Sequence, residues 1–375
     1  MPQVLILTAG YGEGHNAAAR GLHAACAELG LASEIGDCFT ALGPAYDRSR
    51  RQYLALINRA PKIWAAAFGM IDRFPIVEFS LPALAPVRQA LSDLLREKQP
   101  SVVVSVYPAY GYLLAQIFPA GTSRPFTLHT VVTDSITINR VWHRCPSDTF
   151  IVPNAASAAV MREQGVPSSI IHDLGFPVPP RFARDRPLRP APGSGQKGRV
   201  LYMINAGKEM APATVASLLE VEGIELTVTV GRDEELRRKI EVVAAGRALS
   251  IYGWTPQMPE LLMSHHVLIG KAGGATVQEA IAAETPMLIT QVVPGQEEGN
   301  AQLMFENQCA ALCPTTASLA EKVGGLFRDD AGLWRQWATN ISRLSRPAAA
   351  LDIARFVSSQ DASLRDDSNA PTAVG

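Results

Sequence analysis

The stretch VLIGKAGGATVQEAIAAETPMLITQ (267–291) decides the fold class. It opens on a short apolar run, VLIG, and passes through the glycine pair of KAGGAT. VQEAIAA follows, built of good helix formers, and Pro286 closes it before a second apolar run, MLIT. A strand, a glycine turn, a helix and a strand make a βαβ unit, whose two strands must run parallel. The same alternation extends in both directions. RVLYMIN (199–205), ELTVTVG (225–231) and LSIYGW (249–254) precede it, and CAALCP (309–314) follows. In the first half the strand candidates are VLILTA (4–9), ASEIGD (32–37), VVVSV (102–106), TLHTVVT (127–133) and TFIVP (149–153). Helical runs such as AAARGLHAACAEL (17–29) and PVRQALSDLLREK (86–98) lie between them.

A composition break separates the halves. PVPPRFARDRPLRPAPGSGQKGR (177–199) is rich in proline and glycine and has no periodicity, so it reads as a linker. The length of 375 residues also suits two domains. The expected layout is an N-terminal domain over 1–176, a linker over 177–198 and a C-terminal domain over 199–345. A closing helix over 346–357 and a disordered tail over 358–375 complete it. Both domains read as Rossmann-like, with parallel sheets on either side of a cleft.

Charge and cysteine usage exclude several functions. Lys+Arg number 34 against 35 Asp+Glu, so no whole-molecule field exists for gripping nucleic acid. Five cysteines without a C-x-x-C pair indicate neither a disulfide framework nor a zinc site, and fit a reducing compartment. MPQVLILTAG lacks the basic n-region of a signal peptide and reads as a first strand. The charge-free stretch 102–122 is broken by Pro108, Gly111 and Pro119, so it reads as a strand and a short helix containing YLLAQIF, not a spanning helix.

Two glycine turns carry the chemistry. TAGYGEGHNAAA (8–19) puts Gly10, Gly12 and Gly14 after a strand and before a helix, where backbone can approach a ligand. As a dinucleotide fingerprint it is weak: counted from Gly10 the sixth position is His15, and only counting from Gly12 does an allowed alanine, Ala17, fall there. Asp37 would then be its ribose acid. His15, on a first helical turn, suits a general base. In the second half, Lys271, Gly273, Gly274, Ala275 and Thr276 form a turn suited to a pyrophosphate, with Glu279 within reach of the ribose. Gln296, Glu297 and Asn300, after a later strand, offer the donors and acceptors that sugar hydroxyls need.

In order along the chain, GYGEGHNAAA, VVTDSITINRVWH, GFPVPPRF, GWTPQMPELL, KAGGATVQEA and PGQEEGN resemble the lipid-directed members of glycosyltransferase family 28. These are the monogalactosyldiacylglycerol synthases and processive diacylglycerol glucosyltransferases; the lipid II-forming N-acetylglucosaminyltransferase is a more distant relative. The resemblance spans roughly residues 3–345. It implies the GT-B arrangement and an inverting transfer of galactose or glucose from UDP-galactose or UDP-glucose to diacylglycerol, without metal or other cofactor. The sequence contains no D-x-D, in keeping with a metal-free donor site. It further implies that Gly273 to Thr276 hold the donor phosphates and that Glu279 takes the ribose. Gln296, Glu297 and Asn300 lie near the sugar, and Trp254 to Met258 frame the uracil. Gly207 and Lys271 join the donor set. His15 and Asp134 form the catalytic pair, with Asp134 either the second candidate base or the group that orients His15. Gly12, Gly14, Asn139 and Trp142 lie toward the acceptor. At Asn139 the chain departs from the family, which usually carries histidine there, and this leaves the acceptor open to another lipid or a small molecule. A nucleotide-sugar epimerase is the alternative from a different reaction class.

Residues 47–74 hold six basic residues (Arg48, Arg50, Arg51, Arg59, Lys62, Arg73) against two acids, with Leu54, Ile57, Trp64, Phe68, Met70 and Phe74 among them. Such a segment suits docking on an anionic membrane surface. The expectation is a cytoplasmic protein bound peripherally to the inner face of the membrane.

Overall fold

The computed structural model describes residues 4–185, 189, 191–193 and 195–360, with the side chains of Asn58 and Arg59 excepted. Its twelve strands are β1 (Val4–Leu7), β2 (Ser33–Gly36), β3 (Val102–Ser105), β4 (Thr127–Val131), β5 (Thr149–Val152), β6 (Ile171–Asp173), β7 (Gly198–Met203), β8 (Ile224–Thr229), β9 (Leu249–Tyr252), β10 (Val267–Lys271), β11 (Met287–Gln291) and β12 (Ala310–Leu312). They form two six-stranded sheets, ordered β2-β1-β3-β4-β5-β6 and β12-β11-β10-β7-β8-β9. All strand pairs are parallel. Each central strand is buried on both sides: Val4 to Leu7 and Val102 to Ser105 are enclosed throughout, which is why they read as continuous apolar runs. Eleven of the strands fall on the runs read from sequence. β6 was missed: it is a three-residue edge strand of half-buried residues, Ile-His-Asp, with no apolar run to betray it.

The chain divides into two compact units. One contains residues 1–180, 294–296 and 348 onward; the other contains 181–293 and 297–347. In the first unit the helix Glu13–Glu28 buries Ala18, Ala19, Leu22, Ala25 and Cys26, one helical stripe, on the sheet. Gly21 on this helix lies so close to the Pro177 carbonyl that a Cβ would stand 2.0 Å from it, so Pro177 is fixed to the first unit. The closing helix, Ala349–Ser359, packs on the helix Glu13–Glu28 and thus belongs with the first unit. Of the expected disordered tail, Ser358 and Ser359 end this helix, and 361–375 lie outside the described residues. Of the expected linker, Arg181–Arg184 form a short helix counted with the second unit, and 186–188, 190 and 194 lie outside the described residues. Among the described residues no helix is long and apolar enough to cross a membrane, and YLLAQIF falls on a nine-residue helix, Ala109–Ile117, apart from its last residue.

Strand order locates the functional loops. In the first sheet the chain goes from β1 to β2 on one side and returns to β3 on the other, so the direction of winding reverses between β1 and β3. In the second sheet the reversal lies between β7 and β10. Neighbouring loops diverge at such a point and leave a crevice beyond the strands' carboxyl ends, where open α/β sheets bind ligands.

Candidate functional site

At the first reversal, the loop after β1 carries Gly10 and Gly12, the helix Glu13–Glu28 opens with Gly14 and His15 on its first turn, and the residue after β3 is Val106 with its carbonyl. His15 Nδ1 lies 2.8 Å from that carbonyl oxygen. A carbonyl only accepts, so Nδ1 bears the proton and Nε2 keeps its lone pair. The Thr133 hydroxyl is 3.1 Å from the same Nδ1. Burial holds the imidazole down to about 4, against the opposing pull of the Val106 carbonyl. At neutral pH His15 is therefore a neutral base of fixed tautomer.

Around it lies a cavity of about 310 Å³, lined by aromatic groups from several elements: Tyr11, Tyr53, Trp64, Phe68, Tyr107 and Trp142. The Tyr107 ring meets the His15 ring edge-on at 5.0 Å. Asp134 and Asn139 also line the cavity, as does Gln296, which packs with this unit. Asp134 does not orient His15, as one reading of the sequence had it. Its Oδ2 accepts from Trp142 Nε1 at 2.7 Å, and the Val106 carbonyl does the orienting. Burial raises the Asp134 carboxyl to about 6, and the Trp142 bond only partly offsets this. Nor is Asp37 a ribose ligand. Its carboxylate accepts from the Phe39 backbone N–H at 3.0 Å and from the Tyr46 hydroxyl at 2.7 Å, which ends the dinucleotide reading.

Asn139 has a structural task in place of the family histidine. It caps the turn Arg140–His143 by accepting from Val141 N, and its amide donates to the Phe68 carbonyl at 3.2 Å. Asp72 accepts from Arg140 N at 2.7 Å, so the helix Pro61–Arg73 is tied twice to the 134–142 loop. That helix has two faces. Trp64, Phe68 and Ile71 line the cavity, whereas Lys62, Ile63, Met70 and Arg73 face solvent. Trp64 and Phe68 are thus pocket residues, not surface ones, and Ile57 is buried. Between residues 54 and 79 the exposed large apolar groups are Leu54, Ile63, Met70, Phe74, Ile76 and Phe79, the last 76 % exposed. Sequence reading passed over Ile63 and Phe79 because periodicity reveals a helix's two faces but not which one is covered.

At the second reversal, Gly207 (φ +62°) turns the loop after β7, and the loop after β10 enters the helix Gly274–Ala282. Gly273 is its N-cap and offers no side chain, so the first-turn N–H groups have no side-chain cap. Asn205 Oδ1 accepts from Lys271 N at 3.3 Å and joins the two loops; sequence alone did not single it out, because β7 and β10 become neighbours only in the sheet. Lys271 Nζ donates to Glu297 Oε1 at 2.9 Å, and Glu297 Oε2 accepts from Val293 N at 3.0 Å. The Glu297 side chain is 8 % exposed and that of Lys271 20 %, so this is a largely buried pair. Asn300 donates to the Ala272 carbonyl at 3.2 Å, while its Oδ1 is buried without a partner. Glu279 lies half-buried on the second turn of that helix. Trp254, beyond β9, is 64 % exposed, with the Arg232 guanidinium 5.3 Å above its ring, and Met258 opens the helix Met258–Ser264. Among the described residues no cluster of His, Cys, Asp and Glu is arranged to hold a metal ion.

Two six-stranded parallel sheets, each with a glycine turn at its own winding reversal, define the GT-B class of glycosyltransferase folds, and solved structures agree. MurG of Acinetobacter baumannii matches with a TM-score of 0.59 at 12 % identity, over 96 % of this chain and 100 % of that one. Residues 15–178 match the monogalactosyldiacylglycerol (MGDG) synthase family, and residues 209–322 match the glycosyltransferase family 28 C-terminal domain. The chain thus carries, in order, a monogalactosyldiacylglycerol-synthase domain and a glycosyltransferase family 28 C-terminal domain. It is similar to the processive diacylglycerol beta-glucosyltransferase of Bacillus cytotoxicus, 26 % identical over 94 % of this chain and 92 % of that protein. It is also similar to monogalactosyldiacylglycerol synthase 2, chloroplastic, of Arabidopsis thaliana, 24 % identical over 94 % of this chain and 80 % of that protein.

Proposed function

We propose that this protein transfers a hexose from a UDP-sugar, UDP-galactose or UDP-glucose, to diacylglycerol with inversion, producing a membrane glycolipid. The observation that carries the reading is the neutral His15, with Nδ1 committed to the Val106 carbonyl and Nε2 left basic, in an aromatic-lined cavity suited to a lipid. His15 Nε2 takes the proton of the acceptor hydroxyl as its oxygen attacks the anomeric carbon. The bond from that carbon to the UDP oxygen breaks on the opposite face. The imidazolium so formed lies in the same cavity as the Asp134 carboxylate, which favours it. UDP departs with added negative charge, and the free N–H groups and dipole of the helix Gly274–Ala282 stabilise it without a metal. Lys271 and Glu297 act as a pair near the sugar, with Gln296 and Asn300, while Glu279 takes the ribose and Trp254 and Met258 the base.

The exposed Ile63, Met70, Phe74 and Phe79, flanked by Arg48, Arg51, Lys62 and Arg73, support docking on an anionic membrane. We place that membrane's cytoplasmic face as the site of action. Pure protein, supplied in turn with UDP-galactose, UDP-glucose and UDP-N-acetylglucosamine and with anionic vesicles containing diacylglycerol, is expected to yield a lipid heavier by one hexose, seen by mass spectrometry. Chelator should leave the rate unchanged, and Ile63→Ser with Phe79→Ser should release the protein from sedimenting vesicles. Conversion of UDP-sugar without a new lipid would instead indicate an epimerase, and no binding of any UDP-sugar would end the transferase reading.

A further inference from the structure

The glycine loop of the first unit is gripped from outside by one helix, Pro44–Arg59. Gly10 N–H donates to the Tyr46 hydroxyl, and that hydroxyl donates in turn to Asp37 Oδ2 at 2.7 Å. Arg50 Nε donates to the Gly10 carbonyl at 2.6 Å, so both polar atoms of a single residue are held by side chains one helical turn apart. The next residue is tied as well: the Tyr11 hydroxyl meets Ser49 Oγ at 2.9 Å. The fit is close, since a Cβ at position 10 would lie 3.0 Å from Tyr46 Oη and 3.2 Å from Arg50 Nε, and both side chains would have to give by a few tenths of an ångström. Tyr46 is 4 % exposed, so its two bonds are shielded from water, whereas Arg50 is partly open to solvent. Five residues beyond the gripped glycine stands His15.

We propose that Tyr46 and Arg50, with Asp37 behind Tyr46, are positioning residues that hold the Gly10 loop and so set the approach of His15 to the acceptor hydroxyl. The inference rests on His15 being the base of the transfer proposed above. The grip also makes the loop's first amide unavailable to a phosphate, which separates this glycine turn from the one at 273–276. The same helix exposes Leu54, Arg48 and Arg51 on its outer face, so the element that holds the loop is part of the surface proposed to meet the membrane.

Tyr46→Phe and Arg50→Ala test it in the full chain, with three readings on each variant. Turnover on vesicle-borne diacylglycerol should fall about tenfold in each, as expected for a misplaced catalytic group. The KM for the UDP-sugar should stay within about twofold in both variants and sedimentation with vesicles should do so for Tyr46→Phe, which changes neither the donor turn nor the charge of the 47–74 segment. Hydrogen exchange at residues 10–14 should speed up in both variants. Unchanged exchange there would overturn the grip itself, whatever the activity. Faster exchange with full turnover would overturn its link to the base, and so would a loss appearing only in the donor KM. Absence of glycolipid from the wild-type protein would count against the transferase reading, and the exchange measurement would still decide the grip.

Discussion

The two glycine loops occupy equivalent places, each after a strand at the winding reversal of a parallel sheet, yet their chemistry is opposite. The 8–15 turn is surrounded by aromatic groups. Gly10 is held by Tyr46 and Arg50, and the turn leads to one neutral imidazole in an aromatic-lined cavity. The 271–276 turn is polar and its glycine is held by no side chain. Its glycine caps a helix with nothing in the way, and a buried lysine–glutamate pair stands beside it. Topology therefore places both turns where open α/β sheets bind ligands, and the side chains around them differ as the proposed function requires: aromatic groups where the lipid alcohol is proposed to lie, a bare helix N-terminus where the UDP-sugar is.

The sharpest break of this contrast is His15→Ala. It should lower turnover by on the order of 10³-fold while UDP affinity, measured by calorimetry, is unchanged, since general-base removal costs about 10²–10⁴. Next in size is Lys271→Met, which leaves the nearly enclosed Glu297 side chain without its lysine and with Val293 N still donating to it. Breaking a buried pair from one side should cost about 3 kcal/mol in urea denaturation. Glu297→Gln keeps an acceptor for Lys271 and should lose less stability than Lys271→Met.

The glycines sharpen the comparison at a smaller scale. Gly10→Ala forces Tyr46 and Arg50 aside and should cost about 1–2 kcal/mol of stability. At Gly273 a Cβ meets only ordinary contacts, Lys271 Cε at 3.5 Å and Glu297 Oε1 at 3.7 Å. Gly273→Ala should thus leave stability within about 0.5 kcal/mol and show its effect in weaker UDP binding, where a ligand's close approach is blocked. Last comes pH. A base works unprotonated, and His15 is held down to about 4, so the main fall in kcat/KM should come as pH drops through about 4, after a smaller loss near 6 where the Asp134 carboxylate that favours the imidazolium is protonated. Asp134, raised to about 6, would as the base place that fall near 6, and the position of the limb separates the two.

Much of this was legible in the sequence. The apolar runs gave eleven strands because strands covered on both faces are apolar without interruption, and Gly273 to Thr276 was visible as a turn because glycine before a helix has few other uses. His15 stood out for the same local reason. What stayed hidden depends on distant neighbours. The partner of His15 is a backbone carbonyl 91 residues away, which leaves no side-chain signature. Asp134 binds Trp142 and not His15, Asp37 supports Tyr46 and not a ribose, and Asn139 ties down Phe68; each is a choice among several polar groups of similar capacity. Trp64 and Phe68 turned inward while Ile63 and Met70 turned out, although all four sit on one amphipathic helix.

Sequence by itself determined eleven of the strands and the two glycine turns, because those follow from local backbone freedom and apolar periodicity. Only the tertiary structure decided which glycine is held by side chains and which is not, which nitrogen of His15 is basic and which face of the 61–73 helix meets water. Those depend on strand order, which brings β3 beside β1 and β10 beside β7, and no local property of the chain encodes which distant partner each polar group finds.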